Sequence, residues 1–198
     1  MKKQISLQHF TILFAILFLF PACFARADNS PGQESAANAE LAGVFASAGL
    51  RILNQRLPLR DFSLQLVSPE TPAGETLTLS DLKGDVVLLN FSATWCPSCR
   101  AEKPSLKALH NHFKDDGLNI VVVNIRESRD HVRAYMNDNG LSFRFVLDVD
   151  GRVSNTYGVN AIPTSFLIDR EGYIIARFVG RTSWDNPEVR AAIETLLR

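Results

Sequence analysis

Two cysteines stand two residues apart in the stretch Trp95-Cys96-Pro97-Ser98-Cys99, directly before a run with helical spacing. The 198-residue chain holds one further cysteine, Cys23. Four chemistries use such a pair: a structural disulfide, half of a metal site, a haem attachment point, or a reversible dithiol–disulfide couple. Structural zinc needs about four Cys or His ligands, and past residue 27 the other candidates are His110, His112 and His131. His110 and His112 are two apart on a helix, point to different faces and read as surface residues, so no metal site is expected. Haem attachment needs His directly after the second cysteine, where Arg100 stands. A bridge closing so short a loop removes little entropy from the unfolded chain, which makes it a weak staple.

Geometry favours the reversible couple. In a first helical turn, residues i and i+3 lie about 5–6 Å apart, close enough to bridge without moving the backbone. The apolar run "DVVLLNF" ends just before the pair and delivers Cys96 to the helix N-terminus. Unpaired N–H groups and the positive end of the helix dipole stabilise a thiolate there. Cys96 is therefore expected as the exposed nucleophile and Cys99, one turn in, as the buried resolving thiol.

The elements that must position this pair follow from periodicity. "DVVLLNF" and "LNIVVVNI" are continuous apolar runs, as in strands covered on both faces. Between them Leu106, Leu109 and Phe113 mark a helix face, which implies a right-handed parallel crossover. "SRDHVRAYMNDNG" reads as a second helix with Ser128 or Asp130 as cap and Gly140 past its end. "FRFVLD" is a short strand. "TSFLI" and "YIIARFVG" flank the tight turn "DREG" and should pair antiparallel. A last helix has Asn186 as N-cap, Pro187 in its first turn, and Val189, Ala192, Ile193, Leu196 and Leu197 along one stripe. Ahead of these, "FSLQL" and "TLTLS" suggest a hairpin around a Pro/Gly-rich loop. The sum is α/β: a central mixed sheet flanked by helices, in the thioredoxin arrangement with an N-terminal β-hairpin extension.

The chain's start reads as targeting rather than fold. Lys2 and Lys3 precede the apolar run Phe10 to Phe20, which is closed by Pro21 and followed by Ala25-Arg26-Ala27, an A-x-A cleavage pattern. A membrane span needs ~20 apolar residues, so residues 1–27 are expected to be a signal peptide. A lipid anchor at Cys23 is the alternative for the same segment. The whole chain has formal charge zero; removal of Lys2, Lys3 and Arg26 leaves the remainder mildly acidic. With no basic run, nucleic acid is not an expected partner. Residues 28–56 read as a linker carrying a short amphipathic helix over about 40–54, from Leu41, Val44, Phe45, Ala48 and Ile52. A thioredoxin-like domain is expected over 57–198.

The motifs "VVLLNFSATWCPSCRAEKPSL", "NIVVVNI", "GLSFRFVLDVDGRVSNTYGV" and "AIPTSFLIDREGYIIARFVG" resemble, in order and spacing, the TlpA/ResA-type thiol-disulfide oxidoreductases of the thioredoxin superfamily, a group related to the redoxins. The resemblance implies a periplasmic or otherwise extracytoplasmic protein-disulfide reductase, of the kind used in cytochrome c maturation. It places the nucleophile on Cys96, the resolving thiol on Cys99 and their disulfide between the two. The family's cis-proline falls on Pro163, so that the backbone at Ile162 faces the site; X–Pro bonds adopt cis far more readily than others. Trp95, Pro97, Ile162 and Pro163 form the implied substrate-binding surface. Glu102 follows Cys99 by three residues and takes the place of the family's active-site glutamate, where a carboxylate would raise thiol pKa and relay a proton. Pro104 matches the kink position.

Two positions depart from the family. Ser92 stands where Trp is common, which predicts looser packing below the site. Asn90 stands where classical thioredoxins carry a buried Asp, so proton transfer is assigned to Glu102. Glu127 is a weaker candidate, read as a strand-end surface charge. The implied partners are a protein disulfide, apocytochrome c among them, and a membrane thiol reductase as electron donor, with no cofactor. Pro97-Ser98 puts no charge between the cysteines, which favours a reductant over an oxidase or isomerase. A thiol peroxidase and a copper-chaperone-like module on the same fold are the rival readings.

Overall fold

The computed structural model describes residues 39, 42–47, 50, 52–68 and 72–198. The expected signal peptide, Cys23 and the start of the expected linker lie outside the described residues. In chain order the elements are β1 (Ile52–Pro58), β2 (Ser63–Val67), β3 (Thr76–Thr78), a 3₁₀ turn (Leu79–Leu82), β4 (Val86–Ser92), α1 (Pro97–Phe113), β5 (Leu118–Ile125), α2 (Arg129–Asn139), β6 (Arg144–Asp148), α3 (Arg152–Thr156), β7 (Thr164–Ile168), β8 (Tyr173–Val179) and α4 (Pro187–Leu197).

The strands form one eight-stranded sheet in the order β1-β8-β7-β4-β5-β6-β2-β3. β4, β5 and β6 run parallel, and β7 returns antiparallel against β4. The parallel half and the β7–β8 hairpin are as the periodicity predicts. The β2–β3 hairpin adds to the β6 edge.

Side chains alternate along β4, so one strand feeds two cores. Val86 and Leu88 join a cluster with Leu106, Leu109 and Phe113 of α1, Val132 and Met136 of α2, and Val189, Ala192 and Ile193 of α4. Val87, Leu89 and Phe91 face the other way, into a cluster with Phe62, Tyr157 and Phe166. α2 starts on Ser128, whose side chain accepts from the His131 N–H, and ends on Gly140 in the left-handed region. α4 starts on Asn186, which accepts from the Glu188 N–H.

Two expectations need correction at the N-terminal side. The helix expected over about 40–54 is helical at 42–47, while Ile52 already belongs to β1, which pairs antiparallel with β8. The sheet therefore takes in residues assigned to the linker. Phe45 is fully buried in the α1/α2/α4 core, so this segment docks on the domain. α3, only five residues long, was not anticipated.

Candidate functional site

β4 ends at Ser92, and Ala93, Thr94 and Trp95 carry the chain over to Cys96, the N-cap of α1. Its sulfur accepts from the Cys99 N–H at 3.2 Å, so the sulfur does the work of a capping oxygen. The two cysteines form a disulfide with Cα atoms 5.2 Å apart. Cys99 is 0% exposed and Cys96 only 5%. The sequence led to an exposed Cys96, but in the disulfide both cysteines are buried: Ser98 Oγ lies 3.3 Å from the Cys96 sulfur and the Ile162 carbonyl oxygen 3.9 Å.

Ile162 belongs to the Ile162–Pro163 cis peptide and packs with Ala93 against both cysteines. β7 begins at the next residue, and Thr164 pairs with Phe91 of β4, which fixes the cis turn beside the end of β4. Trp95 is 65% exposed and Pro97 is exposed as well. Of the implied substrate-binding residues, Trp95 and Pro97 are thus exposed beside the disulfide, Ile162 is partly buried and Pro163 is buried.

Beneath the pair the sheet face turns polar. Asn90, Ser92 and Asn124 continue the inward face of β4 and β5 and are all buried. Glu102, 1% exposed, accepts at one oxygen from Trp184 Nε1 (2.8 Å) and the Thr182 N–H (3.0 Å), and at the other from Asn90 Nδ2 (3.0 Å). Asn90 Nδ2 also donates to Ser165 Oγ of β7 at 2.9 Å. Glu102 is thus a fully bonded group under the cysteines, and no hydrogen bond joins it to either sulfur among those of the described residues.

Two side chains read as surface residues lie inside. Glu127 is not a surface charge: it is 7% exposed and accepts from the Thr94 N–H and Oγ1 and from Asn124 Nδ2. Arg126 just before it holds φ 55, and that left-handed residue turns the chain back under the loop that leads to Cys96. Ser92 is buried, and Lys103 Nζ donates to its Oγ and to Asn90 Oδ1, both at 2.9 Å. His110 is half-buried, its ring edge-on to Phe143 at 5.7 Å, and burial pushes its pKa down.

Lys103 is the residue that sequence reasoning missed. Cys99, Lys103 and Leu106 follow an i, i+4, i+7 stripe, and Asn90 and Ser92 are an i, i+2 pair on one strand face. Together those spacings place a cation over two polar strand positions.

This fold and site define a thioredoxin-like protein with a dithiol–disulfide pair. Residues 54–193 match the Redoxin family, and the chain belongs to it. Thiol-disulfide oxidoreductase ResA of Bacillus subtilis (strain 168) is 42% identical over 111 residues, which is 56% of this chain and 62% of that protein. ResA of Halalkalibacterium halodurans is 36% identical over 107 residues, 54% and 61% of the respective chains. The chain thus matches about three fifths of the length of these curated relatives. A thiol:disulfide interchange protein of the thioredoxin family from Chlorobium tepidum superposes with TM-score 0.60 at 28% identity, covering 74% of this chain and 99% of that one. A secreted thiol-disulfide isomerase from Corynebacterium glutamicum gives 0.63 at 28% identity, covering 72% and 87%. The resemblance and the fold class read from the sequence both hold. No helix among the described residues is long and apolar enough to cross a membrane.

Proposed function

We propose that this protein is an extracytoplasmic protein-disulfide reductase, with Cys96 as attacking thiol and Cys99 as resolving thiol. One observation carries the reading: the Cys96–Cys99 disulfide on the first turn of α1, set against the carbonyl that precedes cis-Pro163. In the dithiol form the Cys96 thiolate attacks one sulfur of a client disulfide. That bond breaks, and the departing client sulfur takes a proton. Cys99 then gives up its proton and attacks the Cys96 sulfur, which releases the second client thiol and closes the Cys96–Cys99 bridge. Two electrons and two protons pass to the client.

Trp95, Pro97 and the partly buried Ile162 supply the surface on which an extended client segment would lie, with buried Pro163 holding the turn beneath it. Glu102, through Asn90, sets the polar environment under the pair, and its negative charge opposes thiolate formation. With no charge at Pro97 or Ser98, this favours a reducing couple. An apocytochrome-type client and a membrane thiol reductase that restores the dithiol fit this direction. Export is supported by the signal-like start of the chain and by the secreted character of one solved relative.

Equilibration against thiol buffers, with thiol trapping, measures the potential. A value well below the ~−120 mV of a strong oxidant is expected, together with a Cys96-linked mixed disulfide that accumulates in Cys99→Ser. A potential near that oxidant's value overturns the direction, and failure to trap any client through Cys96 overturns the mechanism.

A further inference from the structure

Among the described residues, Lys103 is the one buried lysine or arginine. An apolar side chain would fill the same space without taking a charge out of water. Its Nζ bonds only to neutral oxygens, those of Asn90 and Ser92, so its charge is not cancelled by direct contact. Cys99 lies one turn earlier on the same helix, at i−4. Ser92 adjoins Ala93, which packs against both cysteines.

The charged and titratable groups around it divide by element. α1 offers Glu102 and Cys99, with Arg100 on its exposed side; the segment after β5 offers Glu127. β4 and β7 contribute the uncharged Asn90, Ser92 and Ser165. α2 contributes Tyr135, which interacts with Arg100 and Glu127 and whose phenol burial pushes up, so it stays neutral where thiols titrate. Two buried carboxylates therefore oppose a thiolate here, and one buried cation offsets them.

We propose that Lys103 is a positioning residue for the redox pair: its ammonium, locked by Asn90 and Ser92, offsets Glu102 and Glu127 and favours the thiolate of the reduced pair. Burial lowers its pKa to about 8 against the pull of Glu102 and Glu127, so the ammonium is the main form at neutral pH and the charge is lost just above it. The inference rests on Cys96 and Cys99 being the redox couple.

The test uses the reduced protein and the pH dependence of Cys96 alkylation. Lys103→Met is expected to move the midpoint up by roughly one pH unit, and Lys103→Arg to return it toward wild type. Coupling is reciprocal, so wild type supplies a second readout that needs no variant. With ¹³Cε-labelled lysine, NMR should show the Lys103 titration shifting upward by a similar amount between the disulfide and the thiolate form. An unchanged Lys103→Met profile, or a Lys103 midpoint identical in both redox states, overturns the proposal; if Lys103→Met does not fold, the NMR comparison alone decides. Loss of Cys96 alkylation and of dithiol–disulfide cycling in wild type would instead defeat the redox reading, a distinct outcome.

Discussion

In the unfolded chain the Lys103 amine titrates at its ordinary 10.5, whereas in the fold desolvation, outweighing Glu102 and Glu127, brings it to about 8. Below pH 8 both states hold the proton, and the fold bears the cost of the buried charge. Between pH 8 and 10.5 the unfolded chain keeps a proton that the folded protein has released, so stability rises with pH across that window. Urea unfolding should show wild type gaining roughly 1–2 kcal/mol relative to Lys103→Met between pH 7.5 and 9.5, at about 1.36 kcal/mol per pH unit. A flat difference would mean that Lys103 does not titrate there. Cys96 and Cys99 are legible because cysteine is rare in the chain and their spacing is tied to chemistry, whereas Pro163, one of nine prolines, is legible only through the family resemblance. Lys103 and Glu127 are not legible, since a lysine or glutamate taken singly is far more often solvated. Their burial shows only when strand alternation and helix stripe are overlaid.

Elements were legible to the extent that burial wrote a period into them. β4 and β5, covered on both faces, read as apolar runs, and α4 announced itself by its cap and stripe. β1 did not, because Ile52–Pro58 lies on the sheet edge and has no fully buried residue to mark a period. The β7–β8 hairpin, which begins at the cis turn, closes at its far end on Gly172. That residue holds φ 85, donates to the Asp169 carbonyl and accepts from the Leu59 N–H. A Cβ there would stand 2.9 Å from Lys83 Cε and 3.0 Å from Leu59 Cδ2. Gly172→Ala combines left-handed strain with that crowding and is expected to lower unfolding stability by about 1–2 kcal/mol. Cys96 alkylation in the folded protein should be unchanged, because the turn lies at the end of the hairpin away from Pro163. An altered alkylation rate would show that the hairpin transmits strain to the site.

Across the whole molecule, one face of one strand changes character along its length. Val86 and Leu88 sit in the apolar core, and Asn90 and Ser92 on the same face hold the polar group under the disulfide. The apolar end of that layer is closed by the helices packed on it. Part of the closure comes from outside the expected domain: Phe45 is fully buried in the α1/α2/α4 core, and its carbonyl accepts from the Leu50 N–H at 2.8 Å. In the sequence this residue falls on an amphipathic stripe whose docking partner stays open, since periodicity reports which face is apolar but not what covers it. Phe45→Ala should cost about 3–5 kcal/mol of stability, the range for emptying a buried phenylalanine site. Measured under native conditions, the same variant should keep the wild-type redox potential, because Phe45 shares no hydrogen bond with the Asn90–Glu102–Lys103 group. A drop well under 1 kcal/mol would mean that residues 42–47 only rest on the domain, and a shifted potential would mean that the apolar and polar ends of the layer are mechanically one.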